Sequence, residues 1–227
     1  MRKSVFAGAV AAALVFAGLV PEAAFAAQGL NGAYYRFRTP PVTLAQAEAD
    51  IVASSNPTAT FTANTVCFPS CGASIGDGAL LSQFLDAPNA TDLSTDFAGL
   101  GGHAVVLTGF LNIQTAGLYT FNLGSDDGSE LEIDNGLVSS IDKDHPLEFV
   151  QKTVSLAAGF HAIRVLEFED GGLTGLTLLM NNQALAGASI QTEAPSIVPE
   201  PASWALMVAG LGVAGFALRR RSAPAAA

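Results

Sequence analysis

Gly117-Leu118-Tyr119-Thr120-Phe121-Asn122-Leu123-Gly124-Ser125-Asp126-Asp127-Gly128-Ser129-Glu130-Leu131-Glu132-Ile133-Asp134 is the stretch that decides the fold. Tyr119, Phe121 and Leu123 recur at every second position, as do Leu131 and Ile133, which is the period of a strand with one buried face. Between them Asp, Gly and Ser supply the residues of a tight turn. Outward from this hairpin the same grammar repeats. Ala104 to Ile113 is a β run that ends in the turn Thr115-Ala116-Gly117, and Phe149 to Leu156 is another, closed by Ala157-Ala158-Gly159. Phe160 to Phe168 sets His161, Ile163 and Val165 against Ala162, Arg164 and Leu166, and Leu173 to Met180 completes the series. Strands so spaced, with Gly turns, predict an all-β fold, an antiparallel β-sandwich or barrel.

Toward the N-terminus the signal is mixed. Gly29 to Phe37, with Leu30, Ala33, Tyr34, Tyr35 and Phe37, predicts an opening strand. Leu44 to Val52 predicts the one short helix, stopped by Asn56-Pro57. Thr58 to Phe68 returns to β character, and Gly72 to Gly102 reads as long loops with short strands around Leu80, Leu81, Phe84 and Leu85. No repeat of twenty to fifty residues points to a propeller or solenoid.

Both ends of the chain read as addresses rather than fold. Residues 1–26 carry Arg2 and Lys3, an apolar stretch from Val5 to Val20 and the small-x-small pattern Ala24-Phe25-Ala26, the marks of a secretory signal peptide. At the other end Val198, Pro199, Glu200 and Pro201 precede an apolar run, residues 202–218, around Trp204, and then Arg219, Arg220 and Arg221. Seventeen helical residues rise roughly 25 Å, slightly short of a bilayer core of about 30 Å but tolerable with local thinning. The basic residues at both ends place the termini in the cytoplasm and the middle beyond the inner membrane. A plain permanent anchor gives the same topology.

What remains, residues 27–190 with a linker at 191–198, suits one domain with a sizeable core. The chain has a net charge of −10, and with 18 acids against 5 bases between Ala27 and Ile197 the exported part stands near −13. Such a surface repels phosphate backbones, which argues against nucleic acid, and favours cations and neutral polar ligands; it serves equally as a solubility device. The cysteines, Cys67 and Cys71, sit in Cys-Phe-Pro-Ser-Cys, and an oxidising compartment makes a local disulfide the expected state. A zinc site needs further ligands, and His103, His145 and His161 are scattered.

Two families resemble these segments. Pro199-Glu200-Pro201-Ala202-Ser203-Trp204-Ala205, the apolar run and the Arg triplet resemble the PEP-CTERM sorting signal in its variant with Trp-Ala after Pro-Glu-Pro. That resemblance implies processing by an exosortase, a membrane transpeptidase-like enzyme of exopolysaccharide-producing Gram-negative bacteria, and a protein only transiently membrane-anchored. The hairpin from Gly117 to Asp134, together with Val154 to Leu156, Ala158 to Val165, Glu167, Gly171 and the opening Gly29 to Tyr35, resembles the protective-antigen-type lectin-like domain, found also in flocculin adhesins and inserted in glycosidases. The match is loose from Cys67 to Gly102.

This second resemblance gives Asp126-Asp127 a chemistry. Neighbouring side chains of an extended strand point apart, so two adjacent carboxylates cannot share an ion without a special backbone. In the adhesin members the pair is joined by a cis peptide and holds Ca²⁺, which coordinates sugar hydroxyls. Calcium takes 6 to 8 hard oxygens, and Glu169-Asp170-Gly171-Gly172, returned to the same rim by hairpin topology, is the best second source. The adhesins use an Asn there; this chain has none between Phe168 and Thr177, and Asn181 and Asn182 fall beyond the last strand. The competing reading is a ligand-free tight turn.

No His-Glu-x-x-His or phosphate loop is present, and no motif frames a catalytic carboxyl pair, so an enzyme is not expected. Tyr34, Tyr35 and Tyr119 are candidates for stacking on sugar rings or for packing, and Asn89-Ala90-Thr91 is a formal glycosylation sequon. Two functions follow: a surface or matrix carbohydrate-binding module that holds calcium through Asp126, Asp127, Glu169 and Asp170, or a structural protein of the exopolysaccharide matrix with neither metal nor sugar site.

Overall fold

Alternating apolar residues pair into two antiparallel sheets in the computed structural model, which describes residues 27–194 and 207–213. In chain order the elements are β1 (Leu30–Arg36), α1 (Leu44–Ser54), β2 (Ala59–Ala63), β3 (Cys67–Phe68), β4 (Ile75–Gly76), α2 (Leu81–Leu85), β5 (Ala90–Thr91) and β6 (His103–Ile113). Then come β7 (Gly117–Asp126), β8 (Ser129–Ile133), β9 (Gly136–Ile141), β10 (Glu148–Leu156), β11 (Gly159–Glu169), β12 (Leu173–Met180), β13 (Gln183–Ala184) and β14 (Ile190–Gln191). One sheet runs β5-β2-β1-β6-β11-β8-β9, with β14 also on β6; the other runs β10-β7-β12-β13, with β3 and β4 also on β12. All fourteen strands lie in the unit Phe25–Pro195.

The core sits between the sheets. Leu30, Tyr34, Leu107, Leu131 and Val165 from one face meet Phe121, Leu123, Leu176 and Leu178 from the other, all essentially without solvent contact. Their burial supplies the driving force for stacking the sheets, about 25 cal/mol per Å² of apolar surface removed from water. This is the antiparallel β-sandwich that the alternation predicts.

β11 is apolar on both faces because α1 covers its outer side. Leu166 and Phe168 pack with Ala104, Leu44 and Ala47 in a second cluster. The helix starts where Thr43 Oγ1 accepts the Gln46 amide at 3.2 Å, an N-cap. Arg164 fixes it from the sheet by bridging Glu48 of α1 to Glu130 of β8, the latter at 2.9 Å.

Two local expectations are corrected. Leu81, Phe84 and Leu85 form the helix α2 rather than a short strand, since their i, i+3, i+4 spacing makes one buried helical face and the Gln83 side chain accepts the Leu80 amide at 2.9 Å. Leu44–Ser54 is therefore not the one helix. Thr58 to Phe68 is two strands in different sheets, β2 on β1 and β3 on β12. β9, in which Leu137 and Ser140 are exposed but Ser139 is buried, has no apolar alternation to announce it and pairs β8 across a bulge at Leu131 and Glu132.

Residues 207–213 are helical, within the segment expected to cross a membrane; the rest of that segment, the signal peptide and Pro199, Glu200, Pro201, Trp204, Arg219, Arg220 and Arg221 lie outside the described residues. Among the described residues no helix is long and apolar enough to span a membrane.

Candidate metal centre

The hairpin that decides the fold also builds the site. β7 ends at Asp126 and β8 begins at Ser129, with Ser125 Oγ and Ser129 Oγ 2.7 Å apart across the turn. The Asp126–Asp127 peptide is cis. Gly128 sits beneath the Phe168 ring and the Ile141 carbonyl, where a Cβ has no room, and its own carbonyl accepts the Phe168 amide at 2.8 Å. The turn is thus stitched to the last residues of β11.

Carboxylate oxygens of Asp126, Asp127 and Glu169 lie within 4.8 Å of one another. Asp127 belongs also to a second group with Asp144 and Asp170, equally close. The four residues expected from sequence therefore separate into two overlapping sets around Asp127, and Asp144, in the loop between β9 and β10, is an addition. Asp126, Asp127 and Glu169 are only 5%, 3% and 0% exposed, whereas Asp170 is half-buried and Asp144 open to solvent. The deep set and the outer set together form an acidic funnel.

Backbone bonds hold the funnel in shape. Asp127 Oδ1 accepts the His145 amide and Oδ2 the Asp170 amide, each at 3.0 Å, so one carboxylate ties three loops. Glu169 Oε1 accepts the Gly171 amide at 2.8 Å, while Oε2 is buried with no partner. Gly171 and Gly172, at φ +144° and +114°, take a backbone that L side chains disfavour, which lets the loop fold back on Glu169. The disulfide forms as expected, Cys67 to Cys71, and the following Gly72 amide donates to Thr177 Oγ1 at 2.9 Å, laying that loop over β12.

Crowding acids without bases raises their proton affinity. Burial pushes Glu169 up to about 9 and Asp127 up to about 6, and raises Asp126 as well. Among the described residues no Lys or Arg pairs with any of the three. An all-oxygen donor set, three negative charges and an orphaned buried carboxylate oxygen fit a hard divalent cation such as Ca²⁺.

Behind the funnel lies a second polar cluster the sequence did not announce. Glu167 alternates with Phe168 and so faces the interior with Glu169; burial holds its carboxyl well above the usual range. Thr174 Oγ1 is 3.3 Å from Glu167 Oε1 and from His103 Nε2. His103 is wholly buried, which pulls it down to about 4, and its Nδ1 lies 2.8 Å from the Gly101 carbonyl, so the neutral ring carries its proton there. Tyr34 stacks on that ring at 4.7 Å and donates its hydroxyl to Leu100 O at 2.9 Å. The visible signal was two glutamates at i and i+2 around the apolar Phe168, at the end of β11.

The remaining candidates divide. Tyr34 is core, Tyr119 donates to the Thr115 carbonyl at 2.6 Å, and Tyr35 stands on the outer face of β1. The Asn89 side chain is engaged by Pro69 O and Thr65 Oγ1. Asn181 bonds Thr120 near the start of β7, at the end away from Asp126.

Comparison with known proteins agrees with this architecture. The solved PA14 domain of MpAFP antifreeze protein matches with a TM-score of 0.62 at 24% identity, covering 75% of this chain and 94% of that one. The PA14 sugar-binding domain from an RTX adhesin gives 0.61 at 24%, covering 74% and 100%. The A domain of epithelial adhesin 6 from Candida glabrata, solved with Galβ1-3GlcNAc, gives 0.52 at 15%, covering 79% and 96%. At such identities the likeness is one of fold. No curated protein sequence matches the chain. Two family profiles do match: residues 89–187 the PA14 domain, and residues 198–221 the PEP-CTERM protein-sorting motif.

Proposed function

We propose that the protein is an exported, surface- or matrix-associated carbohydrate-binding module whose sugar site is organised by calcium. The observation that carries this reading is the convergence of Asp126, Asp127 and Glu169, with Glu169 Oε2 buried and unpartnered. These three hold the ion, and Asp170 and Asp144 line its outer side. Calcium, when bound, neutralises the carboxylates and offers open coordination positions to vicinal hydroxyls. Similarity in fold to a sugar-binding domain of an adhesin, and to an adhesin domain solved with a disaccharide, supports the ligand class.

The PEP-CTERM match supports exosortase processing at Pro199-Glu200-Pro201, after export across the inner membrane of a Gram-negative cell. In this scheme residues 1–26 are a signal peptide, 27–190 the binding domain, 191–198 a linker and 199–227 the sorting signal, with 202–218 as a transient membrane anchor. No catalytic role is assigned; the acidic cluster is a holder of ions rather than an acid and base facing across a cleft.

A Tb³⁺ luminescence titration of the exported protein and its Asp127→Asn variant tests the metal. Equal signal from both sinks it. A glycan array with millimolar calcium and with EDTA tests the sugar, and calcium-dependent binding is expected. Near-complete burial of the three carboxylates favours one alternative, a structural matrix protein; tight Tb³⁺ binding with a silent array selects it. Mass spectrometry of the mature C-terminus tests processing, and an intact Arg219 to Ala227 refutes it.

A further inference from the structure

The eight-stranded sheet carries a second concavity on its outer face. Leu30 and Tyr34 of β1, Ala59, Phe61 and Ala63 of β2, and Val105 and Leu107 of β6 belong to the core, so their neighbours point out. Antiparallel register sets those neighbours in two rows across three strands. Thr62, Asn31 and Thr108 form one, and Thr60, Ala33 and Val106 the next. Tyr35 stands at the end of β1, and Asp92, after β5, closes the rim. The hollow measures about 490 Å³, within the size range of small-molecule sites.

Its chemistry is uncommitted and one-sided. The Asn31 amide donates to the Thr192 carbonyl at 3.1 Å, leaving Oδ1 available, and Asp92 accepts from Thr91 through Oδ2 alone. Among the described residues, none bonds the hydroxyls of Tyr35, Thr60, Thr62 or Thr108. The lining holds no Lys or Arg and one carboxylate, so phosphate- and sulfate-bearing ligands are repelled. What fits is a ligand with C–H faces for a phenol ring and a small apolar floor, and with many hydroxyls that both give and accept hydrogen bonds.

We propose that this hollow is a calcium-independent subsite for a neutral polysaccharide chain. Tyr35 supports a pyranose ring, Ala33 and Val106 form the floor, and Asn31 Oδ1, Asp92 Oδ1 and the threonine hydroxyls take the ring hydroxyls. It shares no residue with the acidic funnel. Val106 packs toward the α1 side of the sheet, while Glu167 and Glu169 face the sandwich interior, so the two sites lie on opposite faces of that sheet. Two such sites on one body bridge neighbouring chains of a matrix and multiply weak affinities by avidity. The subsite stands or falls independently of the calcium reading.

The test is calorimetric titration of the full-length exported protein, in mild detergent and EDTA, with cellohexaose, maltohexaose and mannohexaose. Saturable binding to at least one is expected, unchanged in Asp127→Asn, at least tenfold weaker in Tyr35→Ala and about threefold weaker in Thr108→Val, which keeps the volume and drops one hydrogen bond. Thermal midpoints of each variant establish folding, and Thr108→Val carries the test should Tyr35→Ala not fold. No saturable binding in EDTA, affinities unaffected by both groove variants, or a groove that instead binds a second copy of the chain overturns the proposal.

Discussion

The backbone amide of Asp170 donates to Asp127 Oδ2 at 3.0 Å, joining the loop after β11 to the turn after β7. With the His145 amide on Oδ1, the carboxylate is a structural post before it is a ligand. In Asp127→Ala both amides lose their acceptor. Hydrogen exchange is expected to quicken at His145 and Asp170 and to stay slow along β6 and β11, with about 2 kcal/mol lost from the urea unfolding free energy. Uniform exchange changes across the sheets refute this role.

Acidity acts on the metal-free protein through the same cluster. Burial lifts Glu169 from its ordinary 4.5 up to about 9 and Asp127 from 3.8 up to about 6. The native state therefore holds more protons than the unfolded chain between those limits, and stability falls as pH rises. No cost is felt below about pH 4, and it grows until the folded values are passed. In EDTA the thermal midpoint is expected to fall steadily from pH 5 to pH 9. Millimolar calcium, which binds the ionised cluster, flattens that slope, and a midpoint that climbs with pH in EDTA contradicts the account.

Gly128 tolerates no side chain. A Cβ there meets the Phe168 ring and the Ile141 carbonyl, one of them backbone that cannot yield cheaply. Gly128→Ala is expected to destabilise by about 2 kcal/mol through overpacking, read as a lower urea midpoint, and to weaken Tb³⁺ binding because the turn carries Asp127. A variant with wild-type values of both disproves the tight approach.

His161 provides a pH response of different origin. Its Nδ1 lies 2.6 Å from Asp134 Oδ2, and this hydrogen bond raises the imidazole above its ordinary 6.5. A raised folded value means the contribution is complete below about pH 6.5 and disappears as pH climbs through the folded value. In saturating calcium, where the acidic cluster is silent, the urea midpoint is expected to decline across that window, and Asp134→Asn to remove the decline. Identical profiles for the two proteins exclude the pair as its source.

Much of this molecule was legible before folding was considered. Alternation in Tyr119, Phe121 and Leu123, and again from Phe160 to Phe168, dictates strands with one apolar face, because side chains on a pleated backbone point to opposite sides. The Gly turns make the neighbours antiparallel, the Cys67 to Cys71 spacing gives the disulfide, and Asp126-Asp127 with Glu169 and Asp170 mark the acidic loops. The i, i+3, i+4 spacing of Leu81, Phe84 and Leu85 was a readable helix signal in a loop-like stretch, but sequence had no means of showing that β2 and β3 part to opposite sheets or that Asp144 arrives beside Asp127 from a loop seventeen residues away. Nor did it show that Glu167 turns inward to His103, or that Thr62, Asn31 and Thr108 line up across three strands. Local periodicity is set by the backbone of each segment, whereas those meetings depend on long-range register, which only the burial of the shared core selects.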